Sequence, residues 1–196
     1  VSTLLGLGTI PVHHELSLGM GGMHGSYASN MALTDADFIL NIGARFDDRL
    51  TGRVNSFAIN ATVAHIDVDP AEIGKVVKTA IPVVGDAKKT LEMLLRYDKV
   101  ETDYADWTAQ VLENKRRAPF GYDPDETFVK PQEVIEIIGE LTEGEAIVIT
   151  DVGQHQMWTA QYYPFKNGRQ LITSGGMGTM GFGIPAAIGA KLANPD

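Results

Sequence analysis

The chain has 196 residues, 44% hydrophobic and 21% charged, which suffices for a packed core and for one full domain with part of another. A formal net charge of -9 with no compensating basic run argues against a nucleic-acid surface or an anionic membrane as partner. The absence of cysteine excludes a disulfide framework and thiolate metal sites and fits a cytoplasmic setting, and no apolar run nears the roughly 20 residues of a membrane span.

In chain order, the opening VSTLLGLGTI reads as a strand already under way, with residues 2–5 extended. Further strand-like runs follow at 38–42, 63–68 and 82–84, separated by helical or loop stretches, and such alternation predicts a parallel sheet. Ala87, Leu91, Leu94 and Leu95 share one face of a helix that closes a first domain over residues 1–97. Residues 98–127, with a polar helix at 104–117 and a turn-rich stretch after it, read as a linker.

A second α/β pattern covers 128–196. Pro131 opens a helix on which Val134, Ile137, Ile138 and Leu141 are expected to face inward. A strand at 146–150 runs into Asp151-Val152-Gly153-Gln154-His155, and a strand at 170–173 runs into a glycine-rich turn and a helix at 184–192. The chain stops where a further strand would be due, so neighbouring segments are expected on both sides.

Loops that follow strand carboxyl ends are where open α/β sheets bind ligands. The turn 174–183 holds five glycines and leads into a helix, an arrangement that brings backbone N–H groups and a positive dipole end to a diphosphate. A tight crossover in which glycine merely relieves crowding is the plainer reading, and both stand on local grounds. No lysine followed by Ser or Thr is present there, which disfavours a nucleotide triphosphatase, and the spacing of Gly176, Gly178 and Gly181 is a weak dinucleotide signal. His155 could hold a phosphate or shuttle a proton, or simply cap the helix that follows.

Nearer the start, Gly19-Met20-Gly21-Gly22-Met23-His24-Gly25 suits the wall of a flat ligand, although a mobile loop tip is the commoner use of such a stretch. Gly43-Ala44-Arg45-Phe46-Asp47-Asp48-Arg49 packs two arginines and two aspartates at a strand's end, where guanidinium forks suit carboxylates and phosphates. Asp67 and Asp86 end two further strands, as acids that take ribose hydroxyls do, or as helix N-caps do.

Taken in order, these motifs together with Leu4-Leu5-Gly6-Leu7-Gly8 and Gln154-His155-Gln156-Met157-Trp158 resemble the acetolactate synthase (acetohydroxyacid synthase) family of thiamine diphosphate enzymes, along essentially the whole chain. The resemblance implies a central Rossmann-like, FAD-binding (DHS-like) parallel-sheet domain followed by the first part of a thiamine diphosphate-binding α/β domain. It implies an FAD site lined by Thr3, Leu4, Gly21, Gly22, Met23, His24, Gly43, Ala44, Arg45, Phe46, Asp47, Asp67, Val68, Asp86, Ala87, Gly175 and Gly176. Gln154, His155, Gly178, Thr179 and Met180 match residues that bind thiamine diphosphate, and Arg49 matches the arginine that receives the second ketoacid's carboxylate.

The activity so implied is decarboxylation of pyruvate and transfer of its two-carbon unit to pyruvate or 2-ketobutyrate, in branched-chain amino-acid biosynthesis. Thiamine diphosphate, Mg2+ and FAD are the expected cofactors, and the flavin is not used for net redox. The activating glutamate and the metal-binding Gly-Asp-Gly motif are expected outside these residues, leaving no catalytic or metal ligand in the chain and the isolated piece inactive. A homodimer or higher oligomer is expected for the parent, with room for a regulatory small subunit. Glyoxylate carboligase, pyruvate oxidase and a non-catalytic nucleotide-binding module are the alternatives.

Overall fold

A computed structural model describes residues 1–97 and 102–195, so residues 98–101 of the expected linker and Asp196 lie outside the described residues. Strands β1 (Phe38–Ile42), β2 (Thr62–Asp67) and β3 (Ile81–Val84) form a parallel sheet in the order β1-β2-β3. β2 is buried from Val63 to Asp67, as befits a central parallel strand covered on both faces. Ile42 stands opposite Ile66 and Asp67 opposite Val84. The ladder runs on as the Gly43 and Gly85 N–H groups donate to Ile66 and Asp67 carbonyls, both at 2.8 Å. Strands β4 (Val148–Thr150) and β5 (Leu171–Thr173) form a second parallel sheet.

The helices follow their local signals. Ser26 caps α1 (Tyr27–Asp35) by accepting from the Ser29 N–H, and Asp47 caps the short α2 (Asp48–Thr51) through Arg49 and Leu50. Asp86 caps α3 (Ala87–Leu94) through Lys89. In α4 (Ala105–Arg117), Trp107 and Val111, one turn apart, pack with Leu18, Ala28 and Ala32 against α1, while the Lys115 ammonium donates to the carbonyls of His14, Glu15 and Ser17. Pro131 sits in the first turn of α5 (Pro131–Leu141), and α6 (Gln154–Tyr162) and α7 (Gly183–Ala193) complete the chain. Among the described residues no helix is long and apolar enough to cross a membrane.

Two expectations are corrected. Residues 2–5 are not a strand: Ser2 makes one isolated bridge to Met20, and Leu4–Gly6 form a 3-10 turn because the Thr3 hydroxyl accepts the Gly6 N–H at 3.1 Å. On α5 the apolar row Val134, Ile137, Ile138 and Leu141 is 42–81% exposed, whereas the neighbouring face, Ile135 and Gly139, packs inward against Pro164 and the core. Leu94 at the end of α3 and its C-cap Leu95 are exposed, a face about which the spacing made no claim of burial.

The first sheet has its own cluster around Phe46, Val63 and Val77, and a second cluster joins the two segments. Leu7 and Met20 from the first segment pack with Ala160, Tyr163, Phe165 and Leu171 from the second, and Phe165 is fully buried. Residues 120–122 are latched onto this second unit. The Tyr162 hydroxyl donates to the Gly121 carbonyl at 3.2 Å, Tyr122 stacks edge-on against Tyr162, and the Tyr122 hydroxyl donates to Glu136 at 2.6 Å.

The Glu136 hydrogen bond, aided by burial, pushes the Tyr122 phenol up to about 12. Since the folded value is raised, the latch contributes fully below the ordinary phenol range near 10 and is lost as pH rises through about 12. An ultraviolet titration should show two late-titrating tyrosines, Tyr122 and Tyr162, of which Glu136→Gln returns Tyr122 toward the bulk; an unchanged profile in that variant would rule out the latch.

Candidate functional site

Because the first sheet is parallel, the loops after all three strands emerge at one edge. Gly43, Ala44 and Arg45 follow β1, Val68 follows Asp67 at the end of β2, and Asp86 and Ala87 follow β3, two strands away from Arg45. Asp67 is buried and accepts the Asp69 N–H at 2.9 Å through one oxygen; the other lies 3.6 Å from Nε2 of the fully buried His65. Among the described residues neither His65 ring nitrogen has a hydrogen-bond partner, and its ring meets Phe46 edge-on at 5.4 Å. Phe46 holds a φ of 54°, the sort of strain that persists only where surrounding packing imposes it. The plainer reading of Asp86, as an N-cap, is realised, and Asp47 caps α2 as well, each still leaving a carboxylate oxygen at the sheet edge.

The glycine-rich loop 19–25 is seated against α2. The Met23 N–H donates to the Arg49 carbonyl at 2.8 Å, and a Cβ on Gly22 would fall 2.3 Å from that oxygen. Asn30 fixes Gly22 from the other side by donating to its carbonyl and accepting its N–H. The His24 carbonyl accepts from Gln161 of α6, so this loop also touches the second unit. Met23 and His24 are exposed, and the Arg49 side chain, 71% exposed, is paired only with the equally open Asp48 at 3.4 Å. Such a pair is worth little and leaves the guanidinium available for another carboxylate.

In the second unit β4 and β5 end side by side, joined by the Thr150 to Thr173 hydroxyl contact at 2.8 Å and by Gln156 donating to Thr173 at 2.7 Å. After β5, the Ser174 carbonyl and hydroxyl accept the N–H groups of Gly178 and Thr179 and fold the turn back. The reason for glycine differs along it. A Cβ on Gly175 would lie 2.6 Å from Leu4, and one on Gly183 3.1 Å from the Asp151 backbone, so crowding explains these two. Gly178 has a φ of 64° with nothing within 4 Å of its missing Cβ, so the surface above it is open.

At the head of α7, Asp151 accepts the N–H of Gly181 at 2.9 and 3.0 Å, of Gly183 at 3.1 Å and of Val152 at 2.8 Å, so these donors are taken by a side chain. Hydrogen bonds from Val152, Gly183 and Gly181, with a smaller contribution from the nearby His155 imidazole, hold the Asp151 carboxyl below the usual carboxylate range. Helix α6 differs. No side chain caps it, Gly153 precedes it with a φ of 148°, and among the described residues the N–H groups of Gln154 and His155 have no acceptor. Gln154 and His155 therefore lie in a helical first turn with open donors, the better anion site of the two.

Leu4 against Gly175, and the Arg45 guanidinium 4.0 Å from a Cβ on Gly176, bring the two units' loops together. Thr3, Ala44 and Phe46 also share a cavity of about 470 Å3 with Val1 and Leu50. Asp151 was not among the sequence-derived site residues, since its signal lies in a contact across 30 residues.

Comparison with known proteins gives two matches along the chain. Residues 1–94 match the thiamine pyrophosphate enzyme central domain, and residues 151–196 the C-terminal thiamine pyrophosphate binding domain of the same enzymes. The chain is 65% identical over its full length to the acetolactate synthase large subunit of Lactococcus lactis and 48% to the isozyme 3 large subunit of Escherichia coli. It is 46% identical to the chloroplastic acetolactate synthase of Arabidopsis thaliana, again over its full length. It spans about a third of the length of these relatives, covering 34%, 35% and 30% of them respectively.

Proposed function

The chain belongs to the thiamine pyrophosphate enzymes, and from that premise we propose that it forms part of an acetolactate synthase large subunit, contributing a flavin-binding surface, an acceptor-binding arginine and part of a thiamine diphosphate cradle. The observation that carries the reading is the correspondence to acetolactate synthases along the whole chain, and the geometry supports it at each loop.

The open N–H groups of Gln154 and His155 suit a diphosphate, and the uncrowded surface over Gly178 leaves room for a ring system beside Thr179 and Met180. Thiamine diphosphate, when bound, supplies an electron sink for decarboxylation of a 2-ketoacid. Met180, 80% exposed, would press an apolar side chain against that cofactor and keep water from it. Asp67, Val68, Asp86, Ala87 and the loop 43–47 would hold the ribose and diphosphate of FAD. Thr3, Leu4, the loop 21–24, Gly175 and Gly176 would hold its remainder at the junction. Arg49 would receive the acceptor's carboxylate with a planar two-pronged donor set. Mg2+ belongs with the diphosphate, its ligands assigned outside these residues.

The substrates in this reading are pyruvate and a second 2-ketoacid, the parent is a cytoplasmic homodimer or larger assembly, and the domain bounds are 1–97 and 128–196 with a linker between. The test is direct. The full-length protein, supplied with thiamine diphosphate, Mg2+ and FAD, should convert pyruvate to acetolactate without net flavin reduction, as read by the colour reaction of acetoin after acid treatment. Acetyl phosphate or acetate with flavin reduction would point to an oxidase and overturn the reading.

A further inference from the structure

We propose that Asp151 is a positioning residue for the thiamine diphosphate cradle: its carboxylate clamps the glycine-rich turn 174–183 by its far end, and it reserves the head of α7 for itself, so that a diphosphate is received at α6. The proposal rests on the reading of residues 151–195 as a thiamine diphosphate surface, and extends it to a residue that touches no cofactor.

The turn is held at two ends. At its start, Ser174 accepts the N–H groups of Gly178 and Thr179 at 2.6 and 3.0 Å. At its finish, Asp151 accepts those of Gly181 and Gly183 at 2.9 to 3.1 Å. Thr179 and Met180, the two residues that would face the cofactor's ring systems, lie between these anchors and are themselves exposed. Little else fixes them, since a Cβ at Gly178 or Gly181 would find nothing within 4 Å.

The sequence accommodates this clamp on both sides. Gly183 lacks the side chain that would fall 3.3 Å from the Asp151 Cβ, and Asp151 follows β4 directly, so it is carried by a strand paired with β5, from which the turn departs. A clamp rooted in the adjacent strand ties the turn to the sheet, not merely to itself. Its charge matters too. A carboxylate at the amino terminus of an 11-residue helix satisfies that helix's positive end and takes up its N–H donors. The uncapped terminus of α6 is then the place left for phosphate.

The test uses the full-length protein and three readouts. Asp151→Asn keeps size and one accepting oxygen but removes the charge; Asp151→Ala removes the clamp. Hydrogen exchange of the cofactor-free protein should show the Gly181 and Gly183 amides losing protection by tenfold or more in Asp151→Ala and by less in Asp151→Asn, while β4 and β5 stay protected. Thiamine diphosphate titrated with Mg2+, followed by quenching of tryptophan emission, should bind at least tenfold more weakly to Asp151→Ala. Circular dichroism unchanged from the parent shows that the variant is folded. Because the carboxyl is held below its ordinary range, wild-type protection at 181 and 183 is full above about pH 4 and falls as pH drops through the lowered value. Binding within twofold of wild type in a folded Asp151→Ala protein, or unchanged protection at both amides, would overturn the proposal. A wild-type protein that binds no thiamine diphosphate would instead remove the cofactor reading, and this proposal with it.

Discussion

Arg49→Ala in the full-length protein is expected to lower kcat/KM for the acceptor ketoacid by about 30- to 150-fold while leaving the decarboxylation of the first pyruvate nearly unchanged. That range corresponds to losing a charge-assisted, two-pronged hydrogen bond of roughly 2–3 kcal/mol. The structure makes the substitution a clean probe. The backbone of Arg49 carries the local scaffold, its N–H donating to Asp47 at 3.0 Å and its carbonyl accepting from Met23 at 2.8 Å, and alanine keeps both. Its guanidinium contributes only the exposed pair with Asp48, whose loss costs less than about 1 kcal/mol. Comparing acceptor-dependent product formation with carbon dioxide release separates the steps. An unchanged preference between pyruvate and 2-ketobutyrate, with unchanged acceptor KM, would remove Arg49 from the acceptor site. Arg49→Lys should recover part of the loss, because it restores charge without the fork.

Gly22→Ala should be among the most damaging single changes in the first unit. Gly22 holds a φ of 95°, and a Cβ there would lie 2.3 Å from the Arg49 carbonyl oxygen and 2.8 Å from the Leu50 Cα. Both obstacles are backbone, so no side chain can swing aside. Backbone strain and overpacking together cost roughly 3–5 kcal/mol, expressed as a marked fall in thermal midpoint and a displaced Arg49. Gly178→Ala is the control: its φ of 64° costs about 1–2 kcal/mol, but no atom stands within 4 Å. It should therefore stay folded while losing affinity for thiamine diphosphate. Equal thermal destabilisation of the two variants would show that the close approach at Gly22 is not what demands glycine there.

The sheet edge was legible in the sequence because its signals are local. The runs at 38–42, 63–68 and 82–84 became β1, β2 and β3 with small shifts at their ends, and parallel pairing then obliges the Gly43, Val68 and Asp86 loops to emerge together. The row Val134, Ile137, Ile138 and Leu141 misled because periodicity identifies an apolar face without saying what covers it. Ile135 and Gly139 reach Pro164 and the core instead, since Gly139 lets the chain at Pro164 approach within 2.5 Å of where a Cβ would be. Residues 2–5 misled for a related reason. Their β-prone composition lost to one Thr3 hydroxyl that turns the chain.

What the sequence determined by itself was therefore the family resemblance, the parallel α/β class and the loops that follow the strands' carboxyl ends, all of which follow from residue type and spacing along a short stretch of chain. Only the tertiary structure decided which loops meet, that Leu4 and Arg45 approach Gly175 and Gly176, and that Asp151 takes the donors at α7 and leaves those of α6 open. The reason is physical. A helix terminus offers the same N–H groups wherever it occurs, and whether they remain available depends on a carboxylate delivered by another strand, a proximity that no local pattern encodes.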